Sequence, residues 1–210
     1  KILDLCGGHG RHTLELYKRG YTNCTLLDYS KKLIDVAKTK ANKNDYSVDF
    51  IQCDARSTDL PGGSFDHVII MGNSLGYIQS PDADSKIIKE AFRILRPGGR
   101  LLVDVTDSSV VNNLFNPNSW HEIGEETVVC RQRELRGNMV YARELVIDKQ
   151  KGLIRDQTYS IRLYDSESLD ELLRHGGFSK VKIYTNLSAH PSDGDYGFMN
   201  NRMIGVGQKT

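Results

Sequence analysis

Short apolar runs alternate with amphipathic segments along the first half of the chain. Each run has the length of one strand, and the segments between the runs carry apolar residues at helical spacing. Continuous apolar strands alternating with helices are typical of a parallel sheet covered on both faces. The predicted strands lie at residues 2–6, 24–27, 48–53, 65–71 and 101–105. The pattern therefore predicts an α/β fold with right-handed crossovers between its strands.

Local signals mark the helix ends. Ser30 precedes an apolar stripe and has the side chain of an N-cap, and Pro81 suits a first helical turn. The Arg-Pro-Gly-Gly segment at 96–99 predicts the end of the helix that follows Pro81.

The pattern changes to strand-like alternation between residues 112 and 164. Turn residues near 136–138 and 149–152 separate segments that favour antiparallel pairing. We interpret residues 112–164 as an antiparallel β-lobe inserted over the substrate site within a single domain of residues 1–210. The predicted lobe strands are 127–134, 139–148 and 154–164, and a short helix and two further strands, near 181–184 and 203–206, follow.

Composition narrows the function classes. Lys and Arg number 28 against 27 Asp and Glu, which argues against binding nucleic acid mainly through a positive field. Hydrophobic residues make up 39% of the chain, and no apolar run approaches the roughly 18 residues of a membrane helix. The four cysteines form no C-x-x-C pair, so we expect buried free thiols, no metal site and a cytoplasmic location.

The segment Asp-Leu-Cys-Gly-Gly-His-Gly at residues 4–10 is the strongest candidate for a binding site. Glycines between a strand and a helix let the backbone approach a ligand, and the helix start offers free N–H groups to an anion. A dinucleotide-binding loop would need Gly or Ala at position 13, where this chain has Thr13. A purely structural turn remains the alternative.

Acidic residues close the next two predicted strands. Asp28 lies 18 positions after Gly10, where a carboxylate can accept both hydroxyls of a ribose, although it could equally serve as an N-terminal helix acid. Asp54 closes the third strand and could accept from an adenine amino group, and Met71 closes the fourth. Because the carboxyl ends of parallel strands meet at one edge, together these residues favour an adenosine-containing ligand.

In this order the motifs resemble those of the class I S-adenosylmethionine-dependent methyltransferases. DLCGGHGRHTLEL is similar to their glycine motif and TLLDYS to their acidic ribose motif. FIQCDAR, FDHVIIMGNSLGYI and FRILRPGGRLLVDV resemble the adenine, fourth-strand and fifth-strand motifs. The resemblance implies a Rossmann-like, doubly wound seven-stranded sheet whose last strand is antiparallel. It also implies S-adenosylmethionine as cofactor, with S-adenosylhomocysteine as product.

The resemblance implies a role for each matching position. The glycines line the methionine part of the cofactor, Asp28 holds the ribose, and Tyr29 lies beside the adenine. Family members commonly carry N-terminal helices before the glycine strand. This chain starts inside that strand, so we expect these lid helices to be absent from it. The implied cofactor-binding residues are Gly7, Gly8, Gly10, Asp28, Tyr29, Asp54, Ala55 and Met71.

Methyl transfer from a sulfonium needs alignment and exclusion of water more than a nucleophilic side chain. The fourth strand ends in Gly-Asn-Ser-Leu-Gly-Tyr, which resembles small-molecule members rather than the D/N-P-P-Y/F type that acts on nucleic-acid amino groups. Asn73 is therefore a candidate substrate contact, and Tyr77 a candidate catalytic residue that orients the substrate. The alternative makes Asn73 a turn cap and Tyr77 a core residue.

Two other segments should reach the same edge. The loop between the last two strands carries His190, a candidate general base, and Tyr196, a candidate substrate contact. The lobe offers Tyr141 and Arg143 as substrate contacts. Trp120 and Tyr159 are further pocket candidates, and lobe core or surface is the alternative for all four.

The sequence favours methylation of a small molecule by a monomer or homodimer, with no nucleic-acid or membrane partner, and amine nitrogen ahead of oxygen. Three alternatives remain open. A basic stripe near the pocket would favour an RNA or protein substrate, and NADH binding would favour a dehydrogenase. A pocket filled by side chains would favour a cofactor-binding protein without turnover.

Overall fold

The computed structural model describes residues 1–188 and 201–210. A seven-stranded sheet with the order β10-β11-β5-β4-β1-β2-β3 forms the centre of the fold, and a second sheet has the order β6-β7-β8-β9. The strands are β1 Ile2–Leu5, β2 Cys24–Asp28, β3 Asp49–Gln52, β4 Phe65–Ile70, β5 Leu95–Thr106, β6 Asn118–Ile123, β7 Thr127–Arg136, β8 Met139–Asp148, β9 Gly152–Arg162, β10 Ser179–Ser188 and β11 Asn201–Gln208. The helices are α1 Arg11–Lys18, α2 Lys31–Lys43, α3 Ala83–Ile94, α4 Ser108–Leu114 and α5 Ser166–His175.

The large sheet confirms the predicted fold class. Strands β1 to β5 pair in parallel, and β11 runs antiparallel to both β5 and β10. Helices cover both faces, because Ile34 of α2 packs on Leu26 while Ile88 of α3 and Leu173 of α5 join the cluster around Leu3. The continuous apolar strands are thus buried on both sides, as their composition predicted.

The structure confirms the predicted start of α2 and places the end of α3 earlier than predicted. Ser30 caps α2, and its hydroxyl accepts from the Leu33 N–H at 3.4 Å. Helix α3 ends at Ile94, slightly before the predicted stop, and Leu95 is already extended. Because Pro97 cannot continue a helix, segment 96–99 belongs to β5 and forms an irregularity in its pairing with β4.

The antiparallel sheet of the lobe has four strands, whereas the sequence predicted three. The additional strand, β6, pairs with β7, so that Trp120 lies opposite Cys130. Helix α4 precedes this sheet and contributes Val111 to a small cluster with Val140 and Ile161. The described residues of the lobe therefore have a core of their own, separate from that of the large sheet.

The lobe is joined to the loop after β4 through backbone contacts. The Arg162 N–H donates to the Gly76 carbonyl oxygen at 2.9 Å. A Cβ on Gly76, whose φ is 96°, would lie 2.5 Å from the Arg162 carbonyl oxygen. Only glycine fits so close an approach at this φ, and β9 therefore lies directly against the loop.

All four cysteines are free thiols, as predicted, but only Cys24 is fully buried. Cys6 and Cys53 follow β1 and β3 rather than lying within them. No helix among the described residues has the length and apolar character required to span a membrane.

Candidate active site

The loop between β1 and α1 forms a cradle of backbone. Gly8 and Gly10 have φ values of 56° and 81°, which side-chain-bearing residues rarely adopt. A Cβ on Gly7 would lie 2.9 Å from both Asp4 Cγ and Leu26 Cγ. Gly10 is the N-cap of α1 and supplies no side-chain hydrogen bond, so no cap side chain covers the first N–H groups of the helix.

The buried side chains of Asp4 and Thr13 support this loop. Asp4 is 1% exposed, and its Oδ2 accepts from Thr13 Oγ1 at 2.6 Å, while Oδ1 has no hydrogen-bond partner among the described residues. Burial raises the pKa of Asp4 to about 6. The hydroxyl therefore explains why position 13 is threonine and not the small residue of a dinucleotide loop.

Asp28 closes β2 beside the cradle. Its Oδ2 accepts from the Gly8 N–H and its Oδ1 from the Ser30 N–H, both at 2.8 Å. These two bonds fix the carboxylate while leaving lone pairs on both oxygens. Such an acceptor-only group suits the two hydroxyls of a ribose. Tyr29, the next residue, is 77% exposed.

The end of β3 presents a different arrangement from the one predicted. Asp54 pairs with Arg56, whose Nη2 lies 2.6 Å from Asp54 Oδ2, and this hydrogen bond lowers the pKa of the carboxyl. An adenine amino group would therefore have to compete with Arg56 for these oxygens. Ala55 is 7% exposed, and Met71 at the end of β4 is half-buried.

A buried ion pair lies under the loop that follows β4. Asp104 of β5 accepts from the Gly72 N–H at 3.0 Å and from Arg202 Nη2 at 2.7 Å. Asn73, with φ 62°, is 1% exposed and accepts from the Thr106 N–H at 2.8 Å. Asn73 thus ties this loop to β5, a structural role that differs from the turn cap expected as its alternative. Its Nδ2 has no partner among the described residues.

Tyr77 connects the loop to the lobe. Its ring stacks on Tyr159 of β9 with 6.0 Å between centroids. Desolvation, with contributions from Tyr159 and Glu144, raises the pKa of Tyr77 to about 12. The phenol therefore stays protonated at neutral pH and can donate a hydrogen bond.

The lobe face that carries Tyr159 is charged. Glu144 is 9% exposed and accepts from Arg131 Nε at 2.7 Å and from Arg155 Nη2. Glu144 and Arg131 also contribute to the electrostatic environment of Tyr77, so this face looks toward the loop after β4. The sequence analysis singled out none of these charged residues.

Tyr141 and Arg143 lie on the opposite face, because side chains alternate along β8. Arg143 pairs with Asp156 at 2.6 Å, and Arg136 lies over the Tyr141 ring. Both line an open cavity of about 620 Å³ together with Gln79 of the loop. Trp120, a further candidate in the lobe, is 64% exposed.

His190 and Tyr196 lie outside the described residues. Sequence reasoning missed Asp4 and His12, although both belong to the segment it singled out. His12 follows the glycine loop by two positions, and that proximity was the available signal. Among the described residues, no three His, Cys, Asp or Glu side chains are arranged to hold a metal ion.

Comparison with known proteins identifies relatives over most of the chain. Residues 2–99 match the methyltransferase domain family. The putative methyltransferase YqeM of Bacillus subtilis (strain 168) is 27% identical over 188 residues, which cover 87% of this chain and 75% of that protein. The ubiquinone/menaquinone biosynthesis C-methyltransferase UbiE of Cronobacter sakazakii is 28% identical over 192 residues, which cover 88% of this chain and 68% of that protein.

A solved structure shares the fold. The sugar N-methyltransferase KedS8 of Streptoalloteichus sp. ATCC 53650 aligns with a TM-score of 0.67 and 21% identity, over 99% of this chain and 79% of that one. The open cradle of glycines and the acceptor-only carboxylate of Asp28 fit the methionine and ribose parts of an adenosine cofactor. The chain is a class I S-adenosylmethionine-dependent methyltransferase.

Proposed function

We propose that this protein methylates a small molecule at an amine nitrogen by in-line displacement. S-adenosylmethionine, when bound, supplies a methyl group activated by a positively charged sulfur. The observation that carries the proposal is the contact between Tyr77 and Tyr159, which brings the lobe against the loop after β4. An acceptor that enters between this loop and the lobe has to be small, which favours a small molecule.

In this proposal the cradle of Gly7, Gly8 and Gly10 holds the methionine end and Asp28 holds the ribose hydroxyls. Tyr29 covers the adenine, which the backbone near 54–55 and at Met71 contacts along its edge. The chain contributes mainly by fixing positions, since the displacement needs alignment of the acceptor with the methyl group.

On the acceptor side, Tyr77 donates a hydrogen bond, and Asn73 acts by holding the loop in place. Tyr141 and Arg143 lie on the opposite lobe face from Tyr159, so in this proposal they line the cavity beside Gln79 and do not contact an acceptor bound at Tyr77. Tyr196 is a further acceptor contact in the same proposal, and His190 is a candidate general base. The shared fold with a sugar N-methyltransferase supports nitrogen as the target.

Carbon is the second candidate for the methylated atom. The 28% identity to UbiE extends over 88% of the chain, and that relative is a C-methyltransferase. A quinol-like ring would then be the acceptor. We favour nitrogen because the Tyr77–Tyr159 side of the site is flanked by charged groups, which suit a polar acceptor better than an apolar ring.

The test is transfer of a carbon-13 methyl group from labelled S-adenosylmethionine by the full-length protein. Acceptors are amino sugars, small alkyl amines, quinols, phenols and bulk tRNA. We expect new signals at N-methyl shifts only, and none with Asp28→Ala. Transfer to quinol carbon would establish the second candidate, and transfer to tRNA alone would contradict a small-molecule acceptor.

A further inference from the structure

His12 lies beside the start of the loop that follows β4. It is the second residue of α1, and its imidazole is half-buried. The Cε1 atom lies 3.8 Å from the point that a Cβ on Gly72 would occupy, and no closer group than Arg11 Nη2, at 3.6 Å, approaches that point. Gly72 follows β4 at its carboxyl end, so the imidazole borders the edge where open α/β sheets bind ligands.

Charged and titratable groups of α1, the loop before it, β5 and β11 face this imidazole. Arg11 and His9 lie on its own helix and loop, Asp104 on β5 and Arg202 on β11. Asp104 is bound by Arg202, which limits its ability to stabilise an imidazolium. Burial, reinforced by Arg11 and Arg202 and opposed by Asp104, lowers the pKa of His12 below its ordinary value. At neutral pH the ring is therefore uncharged and has a free lone pair.

We propose that His12 is a catalytic residue of methyl transfer, the proton acceptor for the attacking amine. The lone pair of the amine forms the new bond to the methyl carbon as the carbon–sulfur bond breaks, and the bonding electrons remain on sulfur. The proton lost by the nitrogen passes to a ring nitrogen of His12 and from there to solvent. The proposal rests on the proposed function, since it requires an acceptor that loses a proton.

A titration without any acceptor tests the placement. S-adenosylhomocysteine and sinefungin, an analogue with an amine in place of the methyl group, are first shown by calorimetry to bind the full-length protein. Proton NMR then follows the His12 Cε1–H signal with pH in each complex, the signal being assigned by its loss in His12→Gln. His67 of β4, five residues before Gly72, serves as internal control.

We expect the His12 midpoint to fall by about one pH unit in the sinefungin complex, because a cation then lies beside the ring. The His67 midpoint stays unchanged. Equal His12 midpoints in the two complexes would overturn the placement. Failure of either compound to bind would instead contradict the cofactor assignment, and the two failures are therefore distinguishable.

Turnover with an amine accepted by the protein provides the second readout. His12→Gln should lower kcat by at least tenfold at pH 7 with KM for the cofactor unchanged, and should abolish the rise of kcat with pH. His67→Gln should match the wild type. A His12→Gln protein that is folded by circular dichroism and retains the wild-type kcat and pH profile would refute the proposal, and His12→Asn is the substitute if that variant does not fold.

Discussion

Thr13 Oγ1 donates a hydrogen bond of 2.6 Å to Asp4 Oδ2 directly beneath the glycine cradle. Both side chains are buried, and the backbone at Gly7 runs so close to Asp4 that a Cβ there would lie 2.9 Å from the carboxyl carbon. The hydroxyl thus holds a carboxyl group whose other oxygen has no partner among the described residues. This pair links the stability of the fold to the shape of the cofactor site.

Replacing Thr13 with Val should therefore lower the free energy of unfolding. The loss should be about 1.5–3 kcal/mol, because a buried carboxyl group loses a hydrogen bond and gains none. Urea unfolding at pH 7.5 measures the loss, and Thr13→Ser, which keeps the hydroxyl, is the matched control. Equal stability of Thr13→Val and Thr13→Ser would mean that the hydrogen bond contributes nothing.

Asp4 should impose a pH dependence on stability. Its pKa rises from 3.8 to about 6 on folding, so the folded protein binds more protons between these values. The contribution of Asp4 to the free energy of unfolding is therefore fully present below pH 4. It decreases by about 3 kcal/mol as the pH rises to 6. Relative to the wild type, Asp4→Asn should gain stability by this amount between pH 4 and pH 7. A difference that is constant over this range would contradict the assignment.

Asp28→Asn should weaken binding of S-adenosylhomocysteine by roughly 10- to 100-fold, since a charged acceptor is lost and an amide donor then faces a backbone N–H. Isothermal titration calorimetry measures the affinity. Asp35→Asn, at an exposed position on α2, is the control and should bind normally. Unchanged affinity of Asp28→Asn would remove Asp28 from the ribose role.

For activity, the aromatic ring of Tyr77 should be more important than ionisation of its hydroxyl group. Because its pKa is raised to about 12, Tyr77→Phe should show no altered pH profile and a kcat within about threefold of the wild type, while loss of the donated hydrogen bond raises KM for the acceptor. Tyr77→Ala removes the stack on Tyr159 and should raise KM for the acceptor. Steady-state kinetics from pH 6 to 9 tests both, and loss of a basic limb in Tyr77→Phe would show that the phenol is the base.

Asp84 should be important for stability although it lies outside the site. It is 2% exposed and accepts from Arg162 Nη1 and from the Tyr164 hydroxyl, each at 2.6 Å. Asp84→Ala leaves the guanidinium without its carboxylate partner and should cost about 3–5 kcal/mol. Asp82→Ala, on an exposed pair with Lys86, should leave the free energy of unfolding nearly unchanged. Similar effects of the two variants would refute the distinction.

The sequence predicts elements best where the apolar pattern is strict. The five parallel strands and the Ser30 cap follow from local residues alone, and the structure contains all of them. Strand β6 was missed because Asn-Ser-Trp-His-Glu-Ile has little apolar alternation, and its conformation depends on pairing with β7. Such pairing is a tertiary effect that no local pattern encodes.

Within the site, the strand-end argument correctly brings Gly8 and Asp28 together, as their 2.8 Å hydrogen bond shows. Strand ends do not predict which charged side chains are buried. Asp84 and Glu144 look like surface residues in the sequence because acidic side chains usually are. Their burial depends on partners such as Arg162, 78 positions away, which only the folded chain brings near.

The close backbone contact between Gly76 and Arg162 limits which segments of this fold can be exchanged with those of a relative. A lobe from a relative would bring its own β9, and any shift of its carbonyl oxygens toward position 76 would clash with this loop. Exchange of residues 118–162 alone should therefore give poorly folding chimeras, whereas exchange together with residues 72–80 should not. The two segments would then have to be exchanged together to transfer acceptor preference from one enzyme to another.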